Sequence, residues 1–166
     1  LDRRSFLCYN ERKYITLSII YLASFHMKFE GVYEKTILIV KPDGVQRGLV
    51  GEILKRVETK GLKIVGLKMM YLSEAKLREH YAHIADKPFY PGVESFMKSS
   101  PVVAICAEGR SAVAAVRLIA GVTDGAAADA GTMRGDLALG FANVVHCSDT
   151  VDNAKAEVAR FFGEDE

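Results

Sequence analysis

The sequence predicts an α+β fold, an antiparallel sheet covered by helices, and three observations point there. Short runs of β-branched and aliphatic residues recur along the chain, stripes of helical period separate them, and glycine or proline marks many of the junctions. The 166 residues suffice for one domain with a real core. With 49% hydrophobic and 26% charged residues the chain is globular rather than disordered or fibrous.

Thr36-Ile37-Leu38-Ile39-Val40 reads as a buried strand ended by a turn at Lys41-Pro42-Asp43-Gly44. Leu49, Ile53 and Val57, with Val50 and Leu54, then recur at helical spacing until Gly61. Leu62 to Leu72 is rich in strand formers and roughly alternating. Ser73 caps a polar helix from Glu74 to about Ile84 with Leu77 and Tyr81 on one side, and Val93 to Lys98 forms a second short helix. Pro101 to Cys106 is a third strand, closed at Glu108-Gly109, and Ala112 to Ala120 is an alanine-rich helix with Val113, Val116 and Ile119 inward. From Gly121 to Gly140 periodicity disappears, as in a functional or disordered loop. Strand Val144-Val145 and a last helix, Asp149 to Phe162, complete the chain, the helix carrying Val151, Ala154, Val158 and Phe161 on its inner stripe. Counted as βαββαβ, the main units give a ferredoxin-like sheet. A doubly wound parallel sheet is the alternative, because periodicity does not reveal strand order.

Basic and acidic residues nearly cancel, 22 against 21, so no bulk field draws the chain to nucleic acid or to an anionic membrane. Any anion must be held by a local cluster of cations. Cys8, Cys106 and Cys147 are far apart and match neither a disulfide framework nor a metal spacing, which places the protein in a reducing, cytoplasmic compartment. Residues 1–27 differ from the rest: an eleven-residue apolar run, Ile15 to Phe25, is too short to span a bilayer, and Ala23-Ser24-Phe25-His26 is a poor cleavage site. The expectation is an N-terminal extension over residues 1–27 outside the fold, translation beginning at Met27, and a domain over residues 28–166.

The most informative stretch is Asn143-Val144-Val145-His146-Cys147-Ser148-Asp149, where a strand delivers a histidine to its end and a Ser-Asp pair opens a helix. Glu157 follows eleven residues after the histidine, at the margin of the inner stripe. Its partner is either a lysine on a neighbouring element or the ring N–H of His146, with the Ser148 hydroxyl helping to hold the carboxylate. An imidazole fixed in this way presents its other nitrogen as a nucleophile, suited to phosphoryl transfer. The plainer alternative is an interfacial histidine followed by an N-cap. Lys41 closes the first strand, and Arg117 and Arg134 flank the glycine-rich loop, as surface cations or as bidentate ligands of polyphosphate, with Thr123 as a further donor. Gly44, Gly48 and Gly51 form no Walker loop, since no Gly-Lys-Ser/Thr follows. Phe89, between Lys87-Pro88 and Tyr90-Pro91, is local packing or a platform for a flat base. His80 and His83 lie on the polar helix as surface residues, and no metal is assigned to protein ligands.

From about Tyr33 to Phe162 the chain resembles the nucleoside diphosphate kinase family. The matching segments are Ile39 to Gly48, His80-Tyr81, Lys87-Pro88-Phe89-Tyr90, Gly131-Thr132-Met133-Arg134-Gly135-Asp136 and Asn143 to Asp149. The resemblance implies a ferredoxin-like fold and exchange of γ-phosphate between nucleoside triphosphates and diphosphates by a ping-pong route through phosphohistidine. It implies His146 as nucleophile, Glu157 and Ser148 orienting it, Lys41, Arg117, Thr123, Arg134 and Asn143 on phosphates and sugar, Tyr81 at the phosphate end, and Phe89 on the base. Mg²⁺ would arrive on the nucleotide phosphates, and the assembly would be a homo-oligomer, a hexamer rather than a tetramer.

The departures are local. Cys147 stands where the family has a small residue, which raises an expectation of oxidation sensitivity. The stretch from Arg134 to His146 is one residue short, with Phe141-Ala142 in place of Gly-Arg. The loop has Asp124-Gly125 and Asp129-Ala130-Gly131 where prolines are common, which would loosen contacts between subunits. Two other readings remain: a regulatory nucleotide-binding module with His146 out of line, and a nucleic-acid-binding sheet, which lacks the basic face and aromatics it would need.

Overall fold

The computed structural model describes residues 32–140 and 142–163. Four strands, β1 (Tyr33–Val40), β2 (Lys63–Met70), β3 (Val102–Arg110) and β4 (Val145–Cys147), form one sheet in the order β2-β3-β1-β4. Each neighbouring pair is antiparallel. This is the ferredoxin-like arrangement, and the doubly wound alternative is excluded. The expected boundary between residues 27 and 28 lies outside the described residues.

β1 is central because its sequence is apolar on both faces: Ile37, Leu38, Ile39 and Val40 are all fully buried. Leu38 and Val40 pack into one core with Ile53, Val57, Val116 and Met133. Ile37 and Ile39 face the other, with Leu77, Met97, Val102 and Phe161. Helices α1 (Pro42–Gln46), α2 (Val50–Thr59), α3 (Glu74–His80), α4 (Tyr90–Lys98), α5 (Ala112–Ala120), α6 (Met133–Leu137) and α7 (Val151–Phe161) connect and cover the strands.

Several expected boundaries move, for local reasons. The predicted turn at Lys41-Pro42-Asp43-Gly44 is the start of α1, because proline suits the first turn of a helix, where its missing N–H is not needed. α3 ends at His80 rather than Ile84. α7 starts at Val151 because the Thr150 hydroxyl, not Ser148 or Asp149, accepts from the Asn153 N–H and caps it. The loop from Gly121 to Gly140 contains α6, capped by the Thr132 hydroxyl on the Gly135 N–H. No helix among the described residues is long and apolar enough to cross a membrane.

Candidate active site

β1 and β4 run side by side with Ile39 opposite His146 and Leu38 opposite Cys147. The end of β1 therefore sets Lys41 beside the segment that leads into the histidine. Val144, just ahead of β4, has φ of 57°, an unusual conformation for a β-branched residue. Three contacts hold it: the Lys41 N–H donates to the Val144 carbonyl at 2.8 Å, the Val144 N–H donates to Asp43 Oδ2 at 3.0 Å, and the Val145 N–H closes back on the Asn143 carbonyl at 2.6 Å. Such a kink persists only where its surroundings fix it, and here it aims the following residues. Gly44 leaves room for it, since a Cβ there would stand 3.1 Å from the Val144 carbonyl oxygen.

His146 Nε2 lies 2.9 Å from Glu157 Oε1, and the Ser148 hydroxyl donates to Oε2 of the same carboxylate at 2.5 Å. Of the two partners open to Glu157, the histidine is the one found. Ser148 is itself fixed, because the Ile37 N–H of β1 donates to its oxygen at 3.3 Å. Burial alone would raise the Glu157 carboxyl, but the hydrogen bonds from His146 and Ser148 outweigh it and leave the group below its usual range. An ionised acceptor puts the ring proton on Nε2 and the lone pair on Nδ1.

The cations gather on the near side. Burial and the neighbouring Arg134 guanidinium lower the Lys41 ammonium to about 8, and its Nζ donates to Asn143 Oδ1 at 2.7 Å. Asn143 in turn donates to the Thr123 carbonyl at 2.6 Å. Arg134 is buried and donates to the carbonyls of Gly121 at 2.8 Å and Val145 at 2.9 Å. Its bond to Val145 ties the shortened Arg134 to His146 stretch to β4, so the histidine keeps its place beside Glu157. Arg117, exposed on α5, is near enough to act electrostatically on Arg134 and Asp149. Lys41, Tyr81, Phe89, Thr123 and Asn143 line one cavity of about 760 Å³. At its mouth Phe89 is 59% exposed, a ring with a free face. Burial pushes the Tyr81 hydroxyl up to about 12, so it stays a donor.

One expectation needs correction. His80 is not a surface residue: its side chain is 1% exposed and its ring meets His146 edge-on, centroids 4.6 Å apart. The signal was present, since His80 follows the buried Leu77 by three residues on the inner face of α3. His83 is exposed, as expected. The thiol of Cys147 is buried and its pKa is raised by that burial, which counts against the expected ready oxidation. Among the described residues one set of side chains has metal-ligand spacing, His80, His146 and Glu157.

Comparison with known proteins points to one family. The family model for nucleoside diphosphate kinase matches residues 34–166. A nucleoside diphosphate kinase of Methanosarcina barkeri is 50% identical over 134 residues, covering 80% of this chain and 90% of the relative. Nucleoside diphosphate kinase 3 of Mus musculus is 47% identical over 148 residues, covering 89% of this chain and 88% of its own. The structure of a nucleoside diphosphate kinase from Halobacterium salinarum in complex with CDP superposes with a TM-score of 0.78 at 48% identity, covering 81% and 91% of the two chains. A transition-state mimic of the Borrelia burgdorferi enzyme, with vanadate and ADP bound, gives 0.76 at 33% identity, covering 81% and 89%. By its family model and these relatives, the chain belongs to the nucleoside diphosphate kinase family, a family of phosphotransferases.

Proposed function

We propose that the protein exchanges the γ-phosphate between nucleoside triphosphates and diphosphates by a ping-pong mechanism, with His146 as the phosphoryl carrier. The observation that carries this reading is the His146 ring, held at Nε2 by a carboxylate that Ser148 fixes from the other side. Nδ1 then attacks the γ-phosphorus in line and the nucleoside diphosphate leaves. A second diphosphate takes the group back by the reverse path. Glu157 supports the charge that builds on the ring, and Lys41, Arg117 and Arg134 offset charge on the phosphate oxygens. Thr123 and Asn143 hold phosphate and sugar, Tyr81 offers its hydroxyl at the phosphate end, and Phe89 stacks on the base. Stacking accepts any base, so tolerance should be broad.

Mg²⁺ belongs to the substrate in this reading. Glu157 is the carboxylate paired with the nucleophile, and both its oxygens are engaged by His146 and Ser148. A hard cation that wants six oxygens finds no cage there and travels with the nucleotide phosphates. Residues 28–166 form the catalytic domain in the same proposal. The same proposal takes a homo-oligomer, hexamer over tetramer; association itself is supported by the edge strand β2, whose Leu67 and Met69, with Tyr71 just past its end, are more than half exposed. Sedimentation equilibrium tests it, and a monomer would refute it. Widely spaced cysteines support a cytoplasmic location.

The test is direct. The protein is incubated with γ-labelled ATP and magnesium, then chased with GDP. Acid-labile, base-stable label on His146 that moves to GDP is the expected result. Nucleotide binding without label would leave only a regulatory module.

A further inference from the structure

Beside His146 stands a second imidazole that the phosphoryl route does not use. His80, at the end of α3, packs between His146 and the ring of Phe161, 5.2 Å away. Neither of its ring nitrogens has a hydrogen-bond partner among the described residues, although its side chain is 1% exposed. A buried polar group in that position calls for a ligand. Its Nδ1 lies 3.7 Å from Glu157 Oε1, the oxygen that meets His146 Nε2 at 2.9 Å. With neither nitrogen taken by a hydrogen bond, the ring has a lone pair open to a ligand.

One donor atom from each of the three side chains lies within 4.8 Å of the others. Tetrahedral zinc, with bonds of about 2.0–2.1 Å, places neighbouring donors about 3.3 Å apart, and two imidazoles with one carboxylate are a set that zinc accepts. The separations of 2.9 and 3.7 Å between Glu157 Oε1 and the two ring nitrogens bracket that value. All three residues line a cavity of about 570 Å³, which has room for an ion and a water as fourth ligand.

We propose that His80, His146 and Glu157 form a site for a borderline-soft divalent cation of the zinc class, and that its occupancy stops phosphoryl transfer. Coordination takes the Nε2 lone pair of His146, and the ring proton passes through water to Nδ1. The imidazole stays neutral, but the nitrogen that attacks phosphorus now carries hydrogen. Magnesium does not compete, since it prefers six oxygens. The inhibitory half rests on His146 being the phosphoryl carrier. The binding half does not.

The experiment uses the full chain with cobalt(II) and zinc chloride as probes, read by visible absorption and equilibrium dialysis. Cobalt should develop tetrahedral ligand-field bands that zinc abolishes. His80→Phe should weaken zinc binding about 100-fold or more, since loss of even an outer partner of a metal ligand weakens binding by 10–100-fold. His83→Ala should leave it unchanged. Zinc, but not equal magnesium, should slow labelling from ATP. Tetrahedral bands that survive in His80→Phe, or binding that is lost in Cys147→Ser alone, would overturn the site. If His80→Phe does not fold, His146→Gln decides, since tetrahedral bands that survive in it overturn the site as well. Absence of label without zinc would count against the phosphoryl route instead, while the cobalt spectrum still judges the site.

Discussion

His146 and Glu157 meet at 2.9 Å across the gap between β4 and α7, and the second oxygen of the same carboxylate is taken by Ser148. The pair fixes both the tautomer and the angle of the ring. Glu157→Gln keeps the shape but removes the charge, and the amide can turn its NH₂ toward the ring. Phosphoenzyme formation should slow about 100-fold, or about 2.7 kcal/mol in the barrier. Rapid-quench labelling measures it, and an unchanged rate would remove Glu157 from the mechanism.

Lys41 supplies a pH dependence. Its folded pKa of about 8 lies below the ordinary 10.5, so between these values the folded protein binds fewer protons than the unfolded chain. Stability from this group therefore rises with pH across that window, while its positive charge is lost. In free enzyme, kcat/KM for nucleotide should fall as pH rises through about 8. Lys41→Met should lower kcat/KM throughout and abolish that limb of the profile.

The kink at Val144 predicts sensitivity at two positions that do not line the nucleotide cavity. A Cβ at Gly44 would approach Val40 Cγ1 to 2.8 Å as well as the Val144 carbonyl. Gly44→Ala should cost about 1–3 kcal/mol, as overpacked sites do, and lower turnover by moving the run into His146. Asp43→Ala leaves the Val144 N–H without its acceptor, at a cost of about 1–3 kcal/mol. Thermal melts paired with turnover separate the two effects.

Cys147 should resist modification. With its thiol buried and its pKa raised, alkylation of native protein should run about tenfold or more slower than after unfolding. Peptide mass mapping separates it from Cys8 and Cys106. Fast native labelling at Cys147 with loss of activity would show the burial to be ineffective.

Phe89→Ala should raise KM for ADP and GDP alike with kcat little changed, because a stacked ring contributes about 1–3 kcal/mol to any base. Steady-state kinetics on both nucleotides checks it; a selective loss for one base would point to a contact other than stacking.

Local signals make much of this legible in the sequence alone. The all-apolar Ile37 to Val40 marked a strand buried on both faces, and the motif around His146 marked the chemistry. Where the sequence misled, a side chain's setting depended on a distant element. His80 reads as surface on a polar helix, and only the packing of α3 against α7 puts it beside His146. Lys41-Pro42-Asp43-Gly44 reads as a turn because proline and glycine are ambiguous without the neighbouring Val144.

Spacing and residue type alone determined which atoms were available: an imidazole, a carboxylate eleven residues later, and three cations spread along the chain. Only the folded sheet decided which of them share a site, because the order β2-β3-β1-β4 brings Lys41 to Asn143 across 102 residues. Periodicity reports which face of an element is apolar. It carries no information on what that face meets.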